Sequence, residues 1–274
     1  MSNELTLEQI HEVTLETLQR FHELCEKEKL RYYLAYGTLL GAARHHGFIP
    51  WDDDADVWMP REDYSRLLNY CKNNPEKISP YKLATRQTEK NYCFGVARFS
   101  DCRYKYEPTT KEEPIDIGVF VDVYPLDSYG DDQKQAKTIL KHLQKENKKI
   151  EIYVNGRGNS FIKSCIKMPC HILLRHFYGN DYLKKFDTEI QEYIEKNTKK
   201  TDRYVGIPVW SVAKVPEQFE KIWFDNRVLL DFEGHKFYAP ENWKELLTYI
   251  YGDYMELPPI EKRTPYHGYK ITIR

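Results

Sequence analysis

Four carboxylates crowd into five positions at Asp52-Asp53-Asp54-Ala55-Asp56, between Trp51 and the apolar Val57-Trp58-Met59. If Ala55 to Met59 forms a strand, side chains two apart share a face. Asp54 and Asp56 then point the same way, Asp52 falls in phase just before them, and Asp53 does not. Like charges held a few ångströms apart repel unless a cation lies between them. A hard, oxygen-seeking ion such as Mg²⁺ or Mn²⁺, shared with substrate phosphates, relieves that repulsion. The competing reading is a solvated acidic loop; the apolar flanks and an upstream Gly37-Thr38 pair favour the metal. Gly37 and Thr38 precede a short helix whose N-terminal N–H groups would favour an anion. Asp122 is a lone acid in Gly118-Val119-Phe120-Val121-Asp122-Val123-Tyr124. An ion is expensive to bury in so apolar a strand without a cation. Asp122 is expected either to complete the metal site or to accept a proton from an attacking hydroxyl; a neutralised structural Asp is the alternative. Arg44 suits a phosphate through its forked guanidinium, or else pairs with an aspartate. His45 and His46 beside it are weaker candidates.

These residues need particular elements to bring them together. Tyr33 to Tyr36 reads as a short buried strand, Leu39 to His45 as a helix ended by Gly47 and Pro50, and Ala55 to Met59 as the next strand. Upstream, residues 5 to 29 carry Leu7, Ile10, Val13, Leu18, Phe21 and Leu24 at helical spacing, with a Thr6–Gln9 capping box. Arg61 to Cys71 reads as a helix burying Tyr64, Leu67 and Leu68, and 73 to 80 as loop. Tyr92 to Phe99 reads as a strand that turns Arg98 toward the site, 103 to 117 as loop, and Gly118 to Asp127 as a strand. Asp127 is expected to cap a lysine-rich surface helix over 132 to 153. Ser160 to Tyr178 mixes large apolar residues with Lys163, Lys167 and Arg175. It reads either as a membrane-interface helix or as a core hairpin kinked at Pro169. A polar helix follows over 181 to 200. Strands then come at 204 to 210, 228 to 232 and 235 to 238, with a helix from Pro240 to about Tyr251.

The stretch GTLLGAARHHGFIPWDDDADV resembles the signature of the LicD family, which groups bacterial phosphocholine transferases with fukutin-type phosphoribitol transferases. YGDYMELPP, Tyr251 to Pro259, with His267 downstream, resembles that family's closing motif. The resemblance implies a nucleotidyltransferase-type core: an α/β (α+β) mixed sheet, with a Gly-Thr turn at Gly37 and Thr38 and an Asp-x-Asp pair at Asp54 and Asp56. It also implies transfer of phosphocholine from CDP-choline to a sugar hydroxyl of a lipid-linked, cell-surface glycan precursor of teichoic acid or lipopolysaccharide type. CDP-ribitol, CDP-glycerol or an NTP are the alternative donors, and a non-catalytic phosphosugar-binding protein is the alternative of another class. A trimethylammonium group calls for an aromatic cage, for which Trp51, Trp58, Tyr36 and Tyr124 are candidates. Lys214, Trp223-Phe224 and the Arg263–His267 region are further candidates for lining the pocket.

A net charge of −1 gives no basic field for nucleic acid. The six cysteines follow no metal or disulfide spacing and suit a reducing compartment. No run is long and apolar enough to span a bilayer. The expectation is a cytoplasmic protein, at the inner face of the membrane if its acceptor is lipid-linked. The expected division is a catalytic core over 1–130, a helical insertion over 131–200, and a C-terminal part over 201–274 that completes the pocket.

Overall fold

The computed structural model describes residues 4–89, 92–108, 115–157, 160–179, 182–199, 202–207, 209, 217–264 and 269–274. In chain order the elements are α1 (Leu7–Glu28), β1 (Tyr33–Leu34), α2 (Tyr36–His45), β2 (Ala55–Pro60), α3 (Arg61–Asn73), α4 (Pro75–Ile78), β3 (Tyr81–Ala84), β4 (Ala97–Asp101) and β5 (Tyr104–Pro108). They continue with β6 (Val119–Ser128), α5 (Gln133–Val154), α6 (Phe161–Tyr178), α7 (Tyr182–Asn197), β7 (Tyr204–Gly206), β8 (Phe219–Glu220), β9 (Arg227–Phe232), β10 (His235–Pro240), α8 (Trp243–Tyr251) and β11 (Tyr269–Ile273).

The centre is a mixed sheet in the order β1-β2-β6-β4-β3, with β7 and β8 continuing from the end of β6. Strands β2 and β6 run parallel, whereas β1, β4 and β3 join antiparallel. This is an α/β fold. The β2–β6 register sets Asp56 opposite Asp122 and Trp58 opposite Tyr124. Val121 and Val123 are fully buried on β6, as are Val57 and Met59 on β2, so the core locks that register. Helix α1 packs Leu18, Phe21 and Leu24 into the same core. Its Thr6–Gln9 capping box is formed, and Lys29 ends it at φ 52°, a cap worth about 1 kcal/mol.

Several elements differ from expectation. Only Tyr33 and Leu34 pair with β2, and α2 begins at Tyr36, so Gly37-Thr38 forms the first helical turn rather than a turn before it. Strand β4 starts at Ala97, not at Tyr92, because Phe94 turns out of line to lie over the Arg98 guanidinium. Part of the expected loop at 103 to 117 is β5, which pairs with β11 at the far end of the chain. The expected loop at 73 to 80 holds the single turn α4, with Pro75 in its first turn. Asp127 does not cap α5. It sits buried with Arg61, whose Nε and Nη2 donate to its two oxygens at 2.6 and 2.5 Å, and Asp132 caps α5 by accepting from Gln135 N at 2.8 Å. Helix α5 is not simply exposed: Ile139, Leu140, Leu143 and Ile150 are buried along one side. The hairpin at Pro169 is not formed, since α6 runs unbroken from Phe161 to Tyr178. Pro240 ends β10, and α8 begins three residues later, at Trp243. Lys214 and His267 lie outside the described residues.

Candidate active site

Asp54, Asp56 and Asp122 each offer a carboxylate oxygen, and these oxygens all lie within 4.8 Å of one another. The strands explain the convergence. Asp54 and Asp56 are two apart along β2, and the parallel register brings Asp122 alongside Asp56. Asp56 and Asp122 are only 8% and 5% exposed. Burial, then the carboxylates of Asp54, Asp122 and Asp52, push the Asp56 carboxyl well above its usual range, while Arg98 draws it back. Its Oδ1 is buried and accepts no hydrogen bond among the described residues. A buried oxygen without a donor, inside a ring of like charges, fits a hard divalent cation better than it fits water-free protein. The cluster is therefore able to hold a metal, with Asp54, Asp56 and Asp122 as donors. Asp52 groups with Asp53 and Asp54 instead of with the buried pair.

Arg98 gives Asp122 a second function. Its Nε donates to Asp122 Oδ1 at 2.8 Å, and its guanidinium is held between the rings of Phe94 and Phe120, each 4.1 Å away. Asp122 is thus both a member of the acidic cluster and one half of a buried ion pair. Arg98 Nη1 donates to nothing among the described residues.

The start of α2 meets the cluster directly. Thr38 Oγ1 accepts from Asp56 N at 2.8 Å, so the hydroxyl ties the helix to β2. That contact differs from the phosphate contact expected of Thr38, although its own O–H proton remains to be donated. A Cβ on Gly37 would come within 2.5 Å of Asp52 Oδ2, so glycine is what lets the acidic loop close on the helix. Tyr36 adopts φ 40°, a conformation costly for an aromatic residue, at this same junction.

Arg44 points elsewhere than expected. Its Nη1 donates to the carbonyls of Tyr254 and Glu256 at 3.1 and 3.3 Å, and its Nε to His45 Nε2 at 3.0 Å. A guanidinium cannot accept, so His45 is neutral at that nitrogen; desolvation and then the Arg44 charge lower its pKa. Arg44 thereby clasps the Tyr251–Pro259 segment against the short helix.

The four aromatic candidates separate into two groups. Tyr36 packs edge-on against Trp58 and Tyr124, with ring centroids 4.9 and 5.5 Å away. Trp58 is fully buried, covered as well by Phe219 and Phe224, and offers a ligand no face. Trp51 stands apart, against His45 and beneath the Arg263 guanidinium.

Distant residues that the sequence did not mark complete the site. His11 Nε2 lies 2.6 Å from the Asp52 carbonyl oxygen while its ring stacks on Phe48, and the Tyr269 hydroxyl donates to the Asp53 carbonyl at 2.8 Å. Glu233 Oε1 accepts from Phe48 N at 3.0 Å, and Tyr36 donates to Glu217 at 3.4 Å. Desolvation, then the carboxylates of Asp56, Asp52, Glu217 and Asp54, raise the Tyr251 phenol. His11, Glu217, Glu233 and Tyr269 carry no local signal; Tyr251 lies in the C-terminal motif and was the one that could be found.

Comparison with known proteins identifies the family. The family model described as LicD/FKTN/FKRP, nucleotidyltransferase domain, matches residues 29–171. The lipopolysaccharide cholinephosphotransferase LicD of Haemophilus influenzae is 30% identical over 278 residues, covering 96% of each chain. An uncharacterized protein of Rickettsia typhi, RT0683, is 32% identical over 112 residues, 39% of this chain and 36% of its own. The human ribitol 5-phosphate transferase FKRP is 46% identical over 48 residues, 18% of this chain and 10% of its own.

Proposed function

The chain belongs to the LicD family, and we propose that it is a metal-dependent phosphotransferase that moves phosphocholine from CDP-choline to a sugar hydroxyl of a cell-surface glycan precursor. The observation that carries this reading is the convergence of Asp54, Asp56 and Asp122 beside the start of α2, in a chain that aligns over 96% of its length with a cholinephosphotransferase. The acceptor hydroxyl attacks the phosphorus that bears choline, the bond from that phosphorus to the CMP oxygen breaks, CMP leaves as the anion, and the hydroxyl proton is released to solvent. Asp54, Asp56 and Asp122 would hold a divalent ion, Mg²⁺ or Mn²⁺, which would supply positive charge against the donor diphosphate and the CMP leaving group. Arg98 fixes the Asp122 carboxylate from one side, leaving its second oxygen for the site. The backbone N–H groups of Gly37 and Thr38 at the start of α2 steady a donor phosphate. Tyr36 and Tyr124 are the parts of the aromatic group that can meet the choline head, and Trp58 backs them from within the core. Arg44 acts on this reading through the C-terminal segment it holds, and His45 through the hydrogen bond it accepts from Arg44. The core over 1–130 supplies the metal site, 131–200 is a helical insertion, and 201–274 closes the pocket.

The test is CMP release from CDP-choline, with and without Mg²⁺, in the presence of a glycan acceptor extract. Metal-dependent release by wild type, reduced at least ~100-fold in Asp56→Asn, is the expected result. Release from CDP-ribitol instead would keep the site and replace the donor. Silence from every CDP-alcohol, with the protein folded and acceptor supplied, would move the chain to the phosphosugar-binding class.

A further inference from the structure

Helix α6 is amphipathic in the wrong direction for a helix bathed in water. Ile162, Ile166, Leu173 and Phe177 are 73%, 65%, 60% and 73% exposed. At 100° per residue these four positions fall within an arc of about 60°. The side turned toward the body of the protein holds Ser164, Lys167, His171, Leu174 and Arg175, all half-buried. Polar contacts line that inner side: His171 Nδ1 lies 2.8 Å from the Ile152 carbonyl oxygen, and the Arg175 guanidinium lies 5.3 Å from the Tyr153 ring centroid. A surface helix ordinarily buries its apolar stripe and wets its polar one. Here the protein takes up much of the polar side, and the apolar stripe faces outward. An apolar ridge of that length marks an interaction surface.

Charge identifies what covers it. From Ile152 to Asn180 the chain carries Arg157, Lys163, Lys167 and Arg175 and no carboxylate at all, although the whole chain is at −1. Aliphatic and aromatic side chains along one line, in a stretch whose only charged side chains are cationic, match a lipid bilayer with anionic headgroups. The helix is 18 residues long, and no helix among the described residues is long and apolar enough to cross a membrane. It therefore lies in the interface plane. We propose that α6 docks this protein on an anionic membrane surface, with Ile162, Ile166, Leu173 and Phe177 inserted among the acyl chains and the exposed Lys163 beside them at headgroup level. Docking is a property of this helix and does not depend on which donor the active site uses.

The full chain is sedimented with vesicles of phosphatidylcholine alone or of phosphatidylcholine mixed with phosphatidylglycerol. Wild type should pellet with the mixed vesicles and be released by salt, and the triple variant Ile166→Ser, Leu173→Ser, Phe177→Ser should bind at least ~10-fold more weakly. The exposed Cys165 and Cys170 lie on this same helix. A polarity-sensitive dye on them in the otherwise unaltered chain should shift to the blue on the mixed vesicles, a reading independent of how the variant folds. Wild type that stays in the supernatant, a variant that pellets equally well, or a dye that reports no change would each overturn the proposal. So would a wild-type dimer that the triple variant converts to monomer without any lipid binding, since a second copy would then cover the stripe.

Discussion

Asp56 sits at an electrostatic cost: it is buried, surrounded by acids, and has an oxygen that meets no donor among the described residues. Asp56→Asn removes one charge from that group. The variant should melt no lower than wild type in metal-free buffer, while losing the stabilisation that added Mg²⁺ gives the wild type. That stabilisation should be about 2.7 kcal/mol at a hundredfold excess over Kd, and a thermal melt against metal concentration reads both effects. Arg98 behaves in the opposite way. Its side chain and that of Asp122 are 8% and 7% exposed, so Arg98→Ala strands a buried carboxylate and should cost about 3 kcal/mol in urea unfolding. Added divalent metal should recover part of that loss, because a cation at the cluster offers Asp122 a substitute partner.

At the scale of the element, α2 depends on two close approaches made at glycine. Gly37 admits the Asp52 carboxylate, and Gly41 lies against the Gly47 carbonyl, where a Cβ would sit 2.4 Å from backbone oxygen. Alanine ordinarily gains about 1 kcal/mol over glycine inside a helix. At Gly41 the contact is backbone on backbone and cannot rotate away, so overpacking of about 3 kcal/mol dominates. Gly41→Ala should therefore lose about 2 kcal/mol net in urea unfolding. The Gly37 neighbour is the free end of a side chain, so Gly37→Ala should hold its stability better and show its defect in activity, through displacement of Asp52.

Across the whole molecule, the acidic loop before β2 is held from both ends of the chain. His11 on α1 and Tyr269 on β11 grip the backbone of the acidic loop, and Leu5 N donates to the Ile271 carbonyl at 2.8 Å, tying the two ends together. Arg44 fastens the segment after α8 to α2 through the carbonyls of Tyr254 and Glu256. Arg44→Ala should leave global unfolding within about 1–2 kcal/mol of wild type but open this segment. Limited proteolysis should cut between Gly252 and Arg263 faster in the variant, and donor turnover should fall in parallel. If cleavage elsewhere accelerates equally, the clasp is not local.

What the sequence determined alone is what short-range periodicity and charge can encode. The alternation along Ala55–Met59 placed Asp54 and Asp56 on one face, and a single acid among valines singled out Asp122. Thr6 and Gln9 announced the start of α1, and the motif from Gly37 to Val57 carried the family. Tertiary structure decided the rest, because each remaining property belongs to a pair of residues far apart in the chain. Asp122 meets Asp56 only through the parallel register of β2 and β6, and Arg98 reaches Asp122 only because β4 pairs on the other side. Thr38 spends its acceptor on Asp56 N, and Asp127 binds Arg61 instead of capping α5. Trp58 is a cage candidate in the sequence until the packed rings of Tyr36, Phe219 and Phe224 place it in the core. The direction of α6 was equally hidden, since a helical stripe of apolar residues states that one side is apolar but not which side the protein takes. Local sequence sets which side chains share a face; only the packed neighbours determine what that face meets.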